Sequence, residues 1–279
     1  MKELQASLQE VRPGRKLFVR RTRLGGGDKP SSTQQMLCIH GLCATEQQFL
    51  PLLSRLQADI DCWSYDWMGC GQSPILRDRE AFSKRETVLD LLAVMELLDP
   101  KLPTLIVAHS YGPSILVEAL EHKPNLKIVG CVLIGTSLRI PGLPPCQPDG
   151  GLWIMKLPVF LLNCLQSTLT ESFIQLAIHP SHEDLREMVR QASNDNDMFL
   201  AQSYHGSTQW SHAAQVPPHL PILILHGAED GLIPVAYAQA LANALDAPLE
   251  VIDTASHMVF LEQVDVVAQH VQDFLRKLI

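Results

Sequence analysis

The chain has 279 residues, 46% hydrophobic and 19% charged, with a formal net charge of −8. Such a composition supports a large buried core and excludes a disordered chain, while the negative balance excludes nucleic acid or an anionic membrane as the main electrostatic partner, since both call for a basic face. Seven cysteines (Cys38, Cys43, Cys62, Cys70, Cys131, Cys146 and Cys164) lie scattered with no C-x-x-C pair, which suits reduced thiols in a cytoplasmic protein better than a disulfide framework.

The opening MKELQASLQE is polar and has no apolar h-region, so no secretory leader is expected. The next stretch, RPGRKLFVRRTR, is basic, but its alternation reads as an exposed edge strand, with an early antiparallel strand at 16–24. Short apolar runs at 36–40, 61–67, 104–110, 128–137, 221–227 and 248–255 read as strands. Between them lie helical patterns at 46–56, 83–98, 112–122 and 235–245, with a last one from about residue 260 to the end. Strands alternating with helices predict the α/β class: a mostly parallel central sheet flanked by helices. Runs this apolar are expected to be buried on both faces.

The alternation breaks once. Residues 138–219 hold Pro-rich turns and apolar helical pieces but no clear strand, too long a span for an ordinary connection. The expectation is a helical cap or lid inserted into one domain spanning 1–279. The longest apolar stretch, LWIMKLPVFLLNCL, is interrupted by Lys156 and Pro158, so no segment reaches membrane-spanning length.

One strand ends on a hydroxyl: Ala108-His109-Ser110-Tyr111-Gly112. In a strand–Ser–helix turn the serine takes a strained backbone conformation that lifts its hydroxyl above the sheet edge. Neighbouring backbone passes so close that small residues are needed on either side. Gly112 meets that need, and Ala108 replaces the first glycine of G-x-S-x-G. Taken alone, Ser110 could equally cap the following helix. Two later strand ends shift the balance. Asp230 follows the run at 221–227 in a Gly-x-x-Asp-x-x-x-Pro loop, and His257 follows the run at 248–255. In a parallel sheet those carboxyl ends share one edge. Chemistry then assigns Ser110 as nucleophile, His257 as general base and Asp230 as the group that orients the imidazole. Two backbone amides would hold the tetrahedral oxyanion: Tyr111, after the serine, and Leu42, in the loop CIHGLCAT that ends another buried strand.

These residues resemble the α/β-hydrolase superfamily, in particular the abhydrolase-domain serine hydrolases. The resemblance rests on HGL, AHSYG, GAEDGLIP and ASHMVFLE and covers about residues 30–279, least well in the cap. YDWMGCGQSP is similar to the family's Asp-x-x-Gly-x-Gly-x-Ser signature, which implies structural roles for Asp66, Gly69, Gly71 and Ser73. Two departures stand out. Ala108 bears on how tight the serine turn is, and His257 is followed at +5 by Glu262 rather than the Asp of the H-x4-D pattern linked to acyl transfer. Among the other histidines, His109 should point away from the hydroxyl, whereas His40 and His226 read as structural or supporting. His179, His182, His205 and His212 lack a metal-ligand spacing. No metal, dinucleotide or other cofactor is implied.

The function this implies is cofactor-free cleavage of a carboxylic ester through an acyl-enzyme on Ser110, in the cytoplasm or peripheral at a membrane. Thioesterase, amidase or acyltransferase chemistry on the same triad stays open, as does a non-catalytic binding protein that kept the fold. A small-molecule substrate with a lipid or other hydrophobic acyl group is suggested by the cap, where Leu152, Trp153, Ile154, Met155, Val159, Phe160, Leu161 and Leu162 fit two accounts. They line an acyl pocket or touch a membrane, or they pack the cap onto the sheet.

Overall fold

The computed structural model describes residues 1–25, 32–193 and 197–278. Residues 30–31, 194–196 and 279, which the sequence reading assigned to the family resemblance, the cap and the last helix, lie outside the described residues. The strands are β1 (Lys2–Arg12), β2 (Arg15–Leu24), β3 (Gln35–Ile39), β4 (Ile60–Tyr65), β5 (Pro103–His109), β6 (Lys127–Ile134), β7 (Ile222–Gly227) and β8 (Leu249–Ile252). The helices are α1 (Leu50–Arg55), α2 (Lys84–Met95), α3 (Gly112–Glu121), α4 (Val159–Ala177), α5 (Glu183–Ser193), α6 (Met198–Gly206), α7 (Val235–Leu245), α8 (Val259–Glu262) and α9 (Val264–Leu278).

One sheet runs in the order β1-β2-β4-β3-β5-β6-β7-β8. β1 and β2 pair antiparallel, as do β2 and β4, while β3 to β8 run parallel. Alternate side chains of β5 feed two cores. Leu105 and Val107 join Met36, Cys38 and Ile134 on one face, and Ile106 and Ala108 join Leu37, Ile39 and Leu133 on the other. Burial on both faces is what a central parallel strand requires. The order reverses between β3 and β5: from β3 the chain next builds β4 on one side, then β5 on the other. Such a switch point opens a crevice at the carboxyl ends of the two strands, here between the loop after Ile39 and Ser110.

Two sequence expectations need correction, and one strand was not foreseen. The basic 16–24 run is an inner strand, not an edge, because β1 pairs along its outer side. The arginines of β2 are neutralised by carboxylates from other elements: Arg15 by Asp90, Arg20 by Glu46, and Arg21 and Arg23 by Asp61. The polar opening segment, read only as lacking a leader, forms the edge strand β1, whose side chains are mostly exposed. Finally, β8 is a four-residue edge strand with Val251 exposed, so burial on both faces does not extend to it.

β6 and β7 are joined by a long connection carrying a 3-10 turn at Trp153–Lys156, the helices α4, α5 and α6, and a second 3-10 turn at Ala213–Gln215. Among the described residues it makes one isolated bridge, Arg139 to His212. No helix among the described residues is long and apolar enough to cross a membrane.

Candidate active site

The turn between β5 and α3 is built by sterics. Ser110 sits at φ +57°, in the left-handed region that costs a non-glycine residue about 1 kcal/mol or more and persists only where the surroundings fix it. Here the Ser110 amide donates to Ile134 O at 2.9 Å, tying the turn to the end of β6. A Cβ on Gly112 would lie 2.9 Å from Ile39 O and 3.0 Å from His40 O, so only glycine fits. Ala108 pairs with Ile39 and Leu133 and is fully buried; its extra methyl is absorbed by the core, and the turn keeps its conformation. The alternative role, a helix cap, is not what the hydroxyl does. α3 begins with Tyr111 as its N-cap and has no side-chain cap, while Ser110 Oγ lies 3.0 Å from His257 Nε2.

His257 and Asp230 complete a continuous relay. His257 Nδ1–H donates to Asp230 Oδ2 at 2.9 Å, which leaves Nε2 to accept from the serine hydroxyl. Asp230 Oδ1 accepts from the amides of Leu232 and Ile233 at 2.9 and 2.8 Å. Burial alone would raise the Asp230 carboxyl, but His257, His226 and the Ile233 amide outweigh it and hold it below the ordinary carboxylate range. The relay therefore contains an ionised carboxylate. The loops carrying Asp230 and His257 pass so close that a Cβ on Gly227 would lie 2.1 Å from Ser256 O.

The supporting histidines have distinct partners. His226 Nε2–H donates to Ile233 O at 2.7 Å and lies 3.4 Å from Asp230 Oδ2. Burial keeps His226 below its usual titration range, partly offset by that carboxylate. His40 Nδ1–H donates to Gly41 O at 2.7 Å, and its Nε2 accepts from the Trp67 amide at 3.0 Å. Burial lowers it to about 4. His109 turns away from the hydroxyl, as its strand position requires, but it does not leave the site. Its Nε2–H donates to His257 O at 3.2 Å, and its ring lies against His257 and Phe260 with centroids 4.9 and 4.7 Å apart. Burial first, and then the neighbouring His257, hold it well below the usual histidine range, so it stays neutral.

The loop after β3 is pressed against the serine. A Cβ on Gly41 would lie 2.7 Å from Ser110 Cβ and 3.2 Å from Oγ. Among the described residues, neither the Leu42 amide nor the Tyr111 amide donates a hydrogen bond inside the protein, so both are free for a ligand. The Tyr111 phenol is fixed by Gln209, donating to its carbonyl and accepting from its amide at 2.8 and 2.9 Å. Burial pushes the Cys43 thiol, beside Leu42, up to about 12, so no thiolate competes with the hydroxyl. Asp66 braces the loop from below. Its carboxylate accepts from the Glu46 and Gln72 amides at 2.8 and 2.9 Å, and Ser73 Oγ donates to its carbonyl. A Cβ on Gly71 would collide with the same carboxylate at 2.3 Å. Burial raises Asp66 to about 6, the amides offsetting part of it.

A connection that the sequence did not reveal comes from α4. Its terminal carbonyls bond the loops that carry Asp230 and His257: Leu176 O accepts from the Gly231 amide at 3.0 Å and Ser256 Oγ at 2.9 Å, and Ala177 O from the Met258 amide at 3.1 Å. Glu262, noted in the sequence only as a departure from a pattern, is a buried clamp accepting from the Ser256 amide at 2.7 Å and from the His179 amide. The spacing of Glu262 from His257 was the available signal; the partner 83 residues away was not. The cap residues divide. Leu162 is fully buried and Ile154, Met155 and Val159 are half-buried, whereas Leu152, Trp153, Phe160 and Leu161 are exposed, so packing alone does not account for all of them.

Comparison with known proteins places these features in context. Residues 36–270 match the family model described as "Alpha/beta hydrolase family". The chain is 26% identical over 216 residues to Protein ABHD8 of Bos taurus, covering 75% of this chain and 48% of that protein. It is likewise 26% identical over 215 residues to Protein ABHD8 of Homo sapiens, covering 75% and 47%. The chain thus spans about half the length of the curated relatives it matches. Among solved structures it is similar to an esterase from Exiguobacterium antarcticum (TM-score 0.76, 18% identity, 99% of each chain). It is also similar to a thermophilic esterase from Thermogutta terrifontis (TM-score 0.77, 18% identity, 100% and 99%) and to a bromoperoxidase from Bacillus anthracis (TM-score 0.76, 15% identity, 98% and 100%). At these identities the likeness is one of fold.

Proposed function

The chain belongs to the alpha/beta hydrolase family and has its fold; from that premise we propose that it is a serine hydrolase that cleaves a carboxylic ester with a hydrophobic acyl group. The observation that carries this reading is the unbroken relay from Ser110 Oγ through His257 to Asp230, at 3.0 and 2.9 Å, on a serine that does not cap its helix. Ser110 Oγ attacks the ester carbonyl while its proton passes to His257 Nε2. The imidazolium is stabilised through Nδ1–H by the ionised Asp230. The tetrahedral oxyanion is held by the amides of Leu42 and Tyr111. Collapse transfers the proton from Nε2 to the departing alcohol and leaves an acyl-Ser110. Water, deprotonated by the same nitrogen, then releases the acid and restores the hydroxyl.

The esterase descriptions of two structural neighbours agree with this choice of bond. The preference for a hydrophobic acyl group rests on the apolar composition of the β6–β7 connection, whose helix α4 is bonded to the loops beyond β7 and β8. The test is paired. A fluorophosphonate probe should label the wild-type chain and not Ser110→Ala, and p-nitrophenyl esters should be hydrolysed by the first alone. Equal rates in the two proteins would remove Ser110 as nucleophile, and a folded wild type that takes up no label would favour a non-catalytic binding protein.

A further inference from the structure

The 3-10 turn at Trp153–Lys156 and the first turn of α4 place their largest apolar side chains in water. Trp153 is 74% exposed, Phe160 65% and Leu152 52%. Single exposed apolar residues are ordinary, but a cluster within nine residues of chain calls for a partner. Of the 19 residues of α4, only Leu162, Ile174 and Ala177 are buried; its exposed positions hold Phe160 and Leu161 at the amino end and uncharged polar Asn163, Ser167 and Thr168 behind them.

We propose that this surface docks on a zwitterionic lipid bilayer. Charge selects that occupant. Between Asp149 and Glu171 the sequence holds one formal charge, Lys156, in a chain whose net charge is −8. Carboxylates are expensive to bring to the acyl boundary, and this is a stretch from which they are missing. A single exposed lysine set among Trp, Phe and Leu can extend its ammonium to the headgroups while its stem and neighbours enter the boundary. An acidic chain gains little from an anionic surface, so apolar burial has to supply the affinity.

The position of α4 gives docking a direction. Beside its amino end, Gln202 of α6 donates to Met155 O at 2.8 Å, and Tyr204 of α6 donates to Met68 O at 2.8 Å, beyond the end of β4. Its carboxyl end is bonded to Gly231 and Ser256, beyond the ends of β7 and β8. In the strand order, β3, β5 and β6 lie between those supports, so α4 crosses the sheet edge that carries Ser110. A bilayer held against its outer surface faces the same edge as the proposed nucleophile. The docking itself does not depend on Ser110 being catalytic.

The tryptophans provide the assay. Trp63, Trp67 and Trp210 are 7%, 1% and 5% exposed, so emission that responds to vesicles belongs to Trp153. Adding phosphatidylcholine vesicles to Ser110→Ala protein should shift its emission to the blue and carry the protein into the vesicle pellet. Trp153→Ala and Phe160→Ala should each weaken co-sedimentation roughly tenfold, the effect of returning one large apolar side chain to water. The proposal is overturned by an unchanged spectrum with no pelleting, or by pelleting that neither substitution weakens. It is also overturned by binding that requires anionic lipid and disappears in salt, or by a blue shift that grows with protein concentration in the absence of vesicles. A wild type inactive on esters would count against the proposed reaction and leave this result standing.

Discussion

Replacing Asp230 by Asn tests the relay with the least change of shape. Oδ1 receives two amide N–H groups, from Leu232 and Ile233, at 2.9 and 2.8 Å. Neither donor can be satisfied by an NH2 group, so the asparagine oxygen must stay at that position. Its NH2 is then forced into the place of Oδ2, 2.9 Å from His257 Nδ1. Facing a donor, Nδ1 must become an acceptor and the imidazole proton moves to Nε2. That nitrogen now points an N–H at Ser110 Oγ where it had accepted from the hydroxyl, so the base is lost without any displacement of the ring. The expected fall in kcat is about 10⁴-fold, or about 5.5 kcal/mol of transition-state stabilisation. His226 keeps its bond to Ile233 O, so the fold should survive. Initial rates on a p-nitrophenyl ester, with circular dichroism to verify folding, measure the effect. A folded Asp230→Asn protein within tenfold of wild type would show that the carboxylate does not set the tautomer, and the mechanism would fail.

Two further outcomes follow from the same structure. Gly41→Ala places a methyl 2.7 Å from Ser110 Cβ and 3.2 Å from Oγ; a nucleophile moved by about 1 Å should lose about 10² in kcat. KM should change little, since the substrate's remote contacts are untouched, and a steady-state titration separates the two. His40 is lowered to about 4 in the folded chain against about 6.5 unfolded, so below pH 6.5 the unfolded state takes up a proton that the native state refuses. Its contribution is complete above pH 6.5 and is lost as pH falls toward 4, on the order of 3 kcal/mol in all. His109 and His226 act in the same direction, whereas Asp66, raised to about 6, contributes stability at low pH that is lost as pH rises through 6. The comparison that isolates His40 is urea unfolding of wild type and His40→Gln from pH 7 to 4: the gap between them should narrow by about that amount, and a constant gap would refute the assignment.

What the sequence disclosed and what it concealed divide along a physical line. Ser110 and Asp230 could be placed at one sheet edge because each closely follows a buried parallel strand, which announces itself as an uninterrupted apolar run; His257 lies beyond the short edge strand β8, whose run is broken by Glu250. Gly112 could be read because a close backbone approach has one residue that fits it. β1 could not: its side chains are mostly exposed, and what makes it a strand is the pairing offered by β2. The arginines of β2 looked like a solvated edge because their carboxylate partners come from β4, α2 and the loop after β3. His109 illustrates a subtler limit. Strand alternation correctly turned its side chain from Ser110, but that direction led beneath His257, whose loop enters from 148 residues further along the chain.

The same limit bears on how the relay is held. Hydrogen-bond geometry near 3 Å between three loops must be maintained by something stiffer than the loops. The acid and base loops touch at Gly227 and Ser256, yet that contact leaves the amides of Gly231 and Met258 and the hydroxyl of Ser256 without acceptors. All three are supplied by the last turn of α4, and Glu262 fastens the Ser256 amide and the backbone at His179 to one carboxylate. The carbonyls that end a helix have no partner within it, and here the sheet's loops provide the partners. A segment that reads in sequence as an insertion into a finished core is therefore a third support of the loops that carry Asp230 and His257, and the helix whose first turn exposes Phe160 and Leu161 is the one whose far end is bonded beside both.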